Sequence, residues 1–249
     1  MDHDRPVRHD GHDGPDRGDG PDGRDGPDGP DGPDGTRDFA GEFETHVTIG
    51  TPQDDPRSVE ALARWAESHG IKFIHILLAR GLTPSQPMLT LSGTGTLAGQ
   101  RRMARALAER LTAAGFPVVR TKIEAAPWND GVPRTAEDAR GLPGHCHFEH
   151  HVKLRLPYGY DAALLAAVSE RHDAHVSRNA RRVHADGVQE RFVTQRVHGS
   201  GRPAARAALE GLLAALTAAG FEPSDTEEEF VVEDDNPGVD AGWLGSTHQ

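Results

Sequence analysis

The chain reads as an α+β protein made of two copies of one unit, and three observations carry that reading. Residues 43–47 spell FETHV and residues 148–152 spell FEHHV, 105 positions apart. The hexapeptide LTAAGF occurs at 111–116 and again at 216–221, with the same offset of 105. Glu124 and Glu229 are also 105 apart, each near the end of the run that follows LTAAGF. A looser pair, SGTG at 92–95 and HGSG at 198–201, is one residue out of step. Several markers that keep one spacing are the signature of a tandem duplication.

The elements come in the same order in each copy. Residues 42–49 alternate Phe43, Val47 and Ile49 with Glu44, His46 and Thr48, the pattern of a half-buried strand. Residues 57–69 place Val59, Leu62 and Trp65 or Ala66 on one helical stripe, and Gly70 stops the helix. IKFIHILL (71–78) and PMLTLS (87–92) are apolar and β-rich, and a Gly-Leu-Thr-Pro turn joins them. Residues 97–114 form an Ala/Leu/Arg-rich helix that Gly115 ends, and FPVVRTKIE (116–124) is a last strand. The second copy predicts strands at 146–156, 175–183, 190–197 and 226–233, with helices at 161–171 and 203–219. The order β-α-β-β-α-β is that of the ferredoxin-like fold. Two such units make eight strands and four helices.

The chain thus divides into five parts: a tail (1–38), a first repeat (39–125), a linker or lid (126–145), a second repeat (146–234) and a C-terminal tail (235–249). The first 38 residues hold twelve Asp against five Arg, and so carry −7 of the −12 net charge. Glycine recurs every third residue from Gly20 to Gly35, the period of a collagen strand. Five triplets studded with like charges do not hold three chains together, so a disordered acidic tail is expected. The remaining −5 sets up no field for a polyanion, and no RNP-like aromatic pair is present, so nucleic-acid binding is not expected. One cysteine, Cys146, excludes an internal disulfide framework. No run is long and apolar enough to span a membrane, and no signal-peptide core follows Met1, so a soluble, cytoplasmic protein is expected.

Alternation then sorts the markers by face. Phe43, Val47 and Ile49 turn toward the helices, with Val119 and Ile123 from the last strand; Glu44, His46, Thr48, Arg120, Lys122 and Glu124 take the opposite face. In the second copy Phe148, Val152, Leu154, Phe230 and Val232 turn inward, leaving Glu149, His151, Lys153 and Glu229 on the free face. First and last strands are neighbours in this fold. Glu44, His46 and Glu124 therefore form one polar cluster, and Glu149, His151 and Glu229 form its copy. The two free faces either meet around a polar cavity or join edge to edge as one floor.

Two carboxylates and an imidazole per copy suit a divalent metal, which makes Glu44, His46, Glu124, Glu149, His151 and Glu229 the candidate ligands. The layout resembles that of the vicinal-oxygen-chelate enzymes, which duplicate a small βα unit and take His and Glu ligands from first and last strands. His46-Val47-Thr48-Ile49 resembles the His-hydrophobic-Thr-hydrophobic motif of the 2H phosphoesterases. That resemblance implies His46 and His151 as general base and acid on a phosphodiester, although Lys153 stands where the second motif has Thr. Without catalysis, the same groups would be a ligand-binding or oligomerisation module, a homodimer through exposed sheet faces included. Plain salt bridging to Lys72, Arg120, Lys122, Lys153, Arg178 and Arg196 on a solvated face is the alternative to all of these.

The hairpin at 175–196 is far more polar than its counterpart in the first copy, so Arg178, Arg191 and Arg196, with Lys153, are the expected holders of a small anionic ligand. His145-Cys146-His147 has no second cysteine to complete a zinc set. The glycines of SGTG and HGSG read as turns, since neither fits a nucleotide-loop pattern. No GxSxG, HExxH or kinase signature occurs.

Overall fold

The computed structural model describes residues 38–51, 55–181 and 187–243. The acidic tail, apart from Asp38, lies outside the described residues, as does the end of the hairpin strand predicted to reach residue 183.

The first repeat consists of β1 (Ala40–Ile49), α1 (Pro56–Ser68), β2 (Lys72–Leu78), β3 (Ser85–Thr96), α2 (Leu97–Ala113) and β4 (Val118–Ala125). The second consists of β5 (His147–Leu156), α4 (Ala162–Glu170), β6 (Ala174–Asn179), β7 (Gln189–His198), α5 (Arg202–Ala218) and β8 (Pro223–Asp234). A one-turn helix, α3 (Ala136–Arg140), sits in the linker and is additional to the four expected helices; a short 3-10 helix (Pro237–Asp240) follows β8. Thr135 starts α3 with a capping box, its hydroxyl on the Asp138 amide and the Asp138 carboxylate on its own. No helix among the described residues is long and apolar enough to cross a membrane.

The repeated LTAAGF is a helix stop. Gly115 and Gly220 adopt φ of +86° and +85°, a region that disfavours residues with a Cβ. The amides of Phe116 and Phe221 bond back to Leu111 and Leu216, both at 2.9 Å, and the glycine amides bond back to Thr112 and Thr217. This is the Schellman arrangement, and it turns the chain from α2 into β4 and from α5 into β8.

The eight strands of the described residues form one closed, antiparallel barrel, in the order β1-β3-β2-β6-β7-β5-β8-β4. Within each repeat, β1 lies between β3 and β4, and β5 between β7 and β8, as the ferredoxin-like order requires. Two seams join the repeats. One pairs β2 with β6 (Ile76 opposite Asn179, Leu78 opposite Ser177), and the other pairs β4 with β8 (Lys122 opposite Asp234). Because the sheets join at both edges, their free faces also meet. The two arrangements that the sequence left open are thus realised together. The free faces expected to support a homodimer face each other within one chain.

The helices cover the outside, and the core has three parts. Val47 and Leu89 of the sheet pack with Leu62 of α1 and Leu111 of α2; Val152 and Val193 pack with Leu165 of α4 and Leu212 of α5. The third part bridges the repeats over the β4–β8 seam, where Phe43, Ile123, Phe148 and Phe230 pack with Val132 and Leu142 of the linker. In β4 the alternation had pointed to Val119, but Val118 packs on the first core, because the β1–β4 register shifts between Thr48 and Ile49. Phe148 is 1% exposed, with its ring 4.7 Å from that of Phe230. Phe148→Ala is expected to cost about 3–5 kcal/mol, read as a lower midpoint in denaturant with little change in slope.

Candidate functional site

Inside the barrel lies a cavity of about 520 Å³. Eight strands leave an interior that side chains can fill or that can hold one small ligand. Here they leave room. Several of the lining residues, Lys72, Arg181, Asp225 and Glu227, are exposed, while Gln86, Arg120, Asp240 and Trp243 are buried. The buried group lies against the C-terminal stretch read as a tail. Asp240 accepts from Gln86, Arg120 and Arg196, and the Trp243 indole donates to the Val176 carbonyl.

The two clusters predicted from the repeat are both here, and they touch. In the first, His46 Nε2 is 2.9 Å from Glu124 and 3.5 Å from Glu44. In the second, His151 Nε2 is 3.3 Å from Glu149 and 3.4 Å from Glu229. Each Nδ1 is held by a threonine hydroxyl on the neighbouring strand: Thr90 at 2.9 Å for His46, and Thr194 at 3.0 Å for His151. Lys122 ties the clusters together, its ammonium 2.8 Å from Glu124 and 2.9 Å from Glu149. Arg196 spans Glu149 at 2.7 Å and Asp240 at 2.8 Å. His147, from the His-Cys-His run, places Nε2 3.1 Å from Glu149 and stacks on His198.

This is not the solvated face that salt bridging alone would suppose. Glu124 is 1% exposed and Glu149 2%. Burial would push both carboxyls up, but for Glu124 the Lys122 ammonium and His46, and for Glu149 Arg196 and Lys122, more than offset it and hold both below the usual range. Burial would lower His151, but hydrogen bonds and charge from Glu149 and Glu229 push it up to about 10. Glu229 is raised by burial and by the nearby Glu124 charge.

The expected anion-holding residues are dispersed. Arg196 and Lys153 line the cavity, but Arg196 is engaged as described and Lys153 is 3.2 Å from Glu190. Arg178 and Arg191 lie outside it. Arg178 alternates with the lining residues Ser177 and Asn179 and is exposed, while Arg191 alternates with Phe192 and bonds Tyr160. Thr90 and Thr194 were missed by sequence reading, although each stands two residues after a lining apolar residue, Met88 or Phe192, in matching strands. Asp240 and Trp243 lie beyond the repeat and gave no periodic signal. Cys146 is buried, its thiol pushed up to about 11 by burial, and takes no part in the cluster. The HGSG glycines serve the backbone: Gly199 has φ +61°, and a Cβ on Gly201 would come within 2.4 Å of the Arg134 backbone.

No protein-family model matches the chain, and no curated protein matches it by sequence. Among solved structures, it is similar to the acetolactate synthase small subunit from Thermotoga maritima, at 12% identity and TM-score 0.28 over 75% of this chain and 92% of that one. An anthrone oxidase-like protein matches at 11% identity and TM-score 0.27, over 79% of this chain and 95% of that one. Chlorite dismutase from Candidatus Nitrospira defluvii matches at 14% and 0.25, over 81% and 93%. Likenesses of this size carry no argument about activity.

Lys122→Met removes the ammonium between two buried carboxylates and is expected to cost about 3–5 kcal/mol near neutral pH. The sign of its pH dependence follows from the carboxyls. In the native chain their depressed pKa values stabilise the fold above the unfolded value of about 4.3, and that stability is lost as pH falls. In the variant Glu149 keeps Arg196, but Glu124 loses its main cation and burial raises it, so acid favours the fold at that site. The gap between variant and native chain in urea unfolding should therefore narrow from pH 7 to pH 4.5.

Proposed function

We propose that the barrel interior binds a small molecule, and that Glu124, His151 and Glu229 hold a divalent metal ion there. The carrying observation is that one donor atom from each of these three residues lies within 4.8 Å of the others. Around one ion, with bonds of about 2.0–2.2 Å, donors sit roughly 3–3.5 Å apart, so side-chain adjustment of about an ångström assembles the set. Nitrogen with two carboxylate oxygens suits zinc, manganese or ferrous iron. Thr194 fixes the His151 ring, the supporting role that a hydroxyl can play behind a metal-bound imidazole. His46, on Glu124, is placed to orient that carboxylate or to exchange a proton with a bound molecule. A bound metal would polarise an oxygen of that molecule; this chain's groups would position it and move its protons.

A second reading, acid–base chemistry by His46 and His151 without metal, draws on the two imidazoles facing one cavity with Nδ1 of each fixed. The phosphoester version of it draws little support, since Lys153 pairs with Glu190 and is not set toward a phosphate.

Elemental analysis of the full chain, as purified and after incubation with zinc, manganese, iron or nickel salts, separates the two. The metal reading predicts near-stoichiometric metal, lost in the Glu124→Gln/Glu229→Gln double variant. It also predicts that affinity rises with pH from 7 to 10, because His151 must shed its proton to bind. No metal under any of these conditions would leave the acid–base reading as the stronger one.

A further inference from the structure

The cavity has two unlike walls, and the barrel order explains why. The β2–β6 seam and the β4–β8 seam lie diametrically opposite in the ring of eight strands. Around the β4–β8 seam the interior positions carry the ionic cluster of Glu44, His46, Glu124, Glu149, His151 and Glu229. Across from it, β2 and β3 present Ile74, Ile76, Leu78 and Met88, and Phe192 faces in from β7. This wall comes mostly from the first repeat. Its hairpin is the apolar one, while the matching strand of the second repeat offers Ser177 and Asn179. Ile74, Ile76, Met88 and Phe192 are only half-buried although they point into the barrel. Their uncovered apolar surface is what an apolar ligand body would remove from water.

The charge on the ionic wall is equally specific. Each lysine and arginine that lines the cavity has a carboxylate partner: Lys72 with Glu44, Arg120 with Asp234 and Asp240, Lys122 with Glu124 and Glu149, Lys153 with Glu190, Arg181 with Glu60, and Arg196 with Glu149 and Asp240. Glu44, which Lys72 and Ser92 also bond, and Glu229 keep 27% and 17% of their side chains accessible beside His46 and His151. Each cation of the lining is thus neutralised by a carboxylate, and the accessible carboxylates Glu44 and Glu229 still offer acceptor oxygens beside the histidines. A carboxylate or phosphate head would meet like charge. A hydroxyl or amine would meet hydrogen-bond partners.

We infer that the ligand is an amphipathic molecule, an apolar ring system that lies on Ile74, Ile76, Met88 and Phe192 and directs a hydroxyl or amine to Glu44, Glu229 and the two histidines. Aromatic rings fit best, because a thioether and a phenyl ring both favour aromatic neighbours. This rests on the reading of the interior as a small-molecule site, not on the metal.

The test is calorimetric titration of the metal-free full chain with 2-naphthol, 2-naphthoic acid and zinc chloride in separate runs, with the Ile76→Asn and Glu229→Gln variants beside it. The expected result is that 2-naphthol binds at least tenfold more tightly than 2-naphthoate. Ile76→Asn should weaken 2-naphthol at least tenfold and leave zinc binding intact, and Glu229→Gln should weaken both. Far-ultraviolet circular dichroism checks that each variant is folded. Equal or tighter binding of 2-naphthoate would overturn the choice of head group. Binding of 2-naphthol that Ile76→Asn does not change would overturn the apolar wall. Zinc binding with neither naphthalene would overturn the inference and leave the metal reading standing; no binding of any probe would overturn both.

Discussion

Carboxylates from two repeats share one enclosed space, and the rest of the interior answers that charge. Glu124 and Glu149 are removed from water, and Glu44 and Glu229 stand beside them. Isolated buried carboxylates are costly enough that a protein either protonates them or supplies cations. This barrel supplies cations: Lys122 between the repeats, Arg196 behind Glu149, and the proton on His151 between Glu149 and Glu229. Arg196 and Arg120 in turn require Asp240, which anchors the short 3-10 helix against the barrel. The 3-10 helix is thus tied to the charge in the interior through Asp240.

Much of the fold was legible because it rests on local rules. The FExHV and LTAAGF markers encode a strand parity and a helix stop, and both act within a few residues. Parity placed Glu44, His46, Glu124, Glu149, His151 and Glu229 on free faces, and the known strand order within one repeat brought them into two clusters. What parity did not supply was the relation between repeats. Closure depends on two seams, and those on edge strands whose sequences say little about their partners. Arg178 and Arg191 show the limit of composition: their strands are polar, but their positions alternate with Ser177, Asn179 and Phe192, so they point away from the cavity. Asp240 and Trp243 follow the last repeat strand, where no period exists to reveal them.

Duplication also explains the two-sidedness of the cavity. A strict repeat would build equal walls about the axis through both seams. The Glu-His-Glu elements have stayed alike, so the ionic wall remains paired, with Thr90 and Thr194 serving equivalent rings. The hairpins have drifted apart, Ile74 and Ile76 on one side of the seam against Ser177 and Asn179 on the other. The result is a cavity with an apolar side and an ionic side.

The central claim is that the His151 proton occupies a place that a divalent ion can take. Nitrogen-15 NMR of the histidine side chains, recorded from pH 5 to 11 with and without zinc, tests it most directly. The account predicts that the His151 ring stays doubly protonated to about pH 10 in the absence of metal, because Glu149 and Glu229 hold it so. With zinc present, it predicts loss of that proton near neutral pH and a ring nitrogen shift typical of metal ligation. A His151 that titrates near 6.5 and is indifferent to zinc would contradict it.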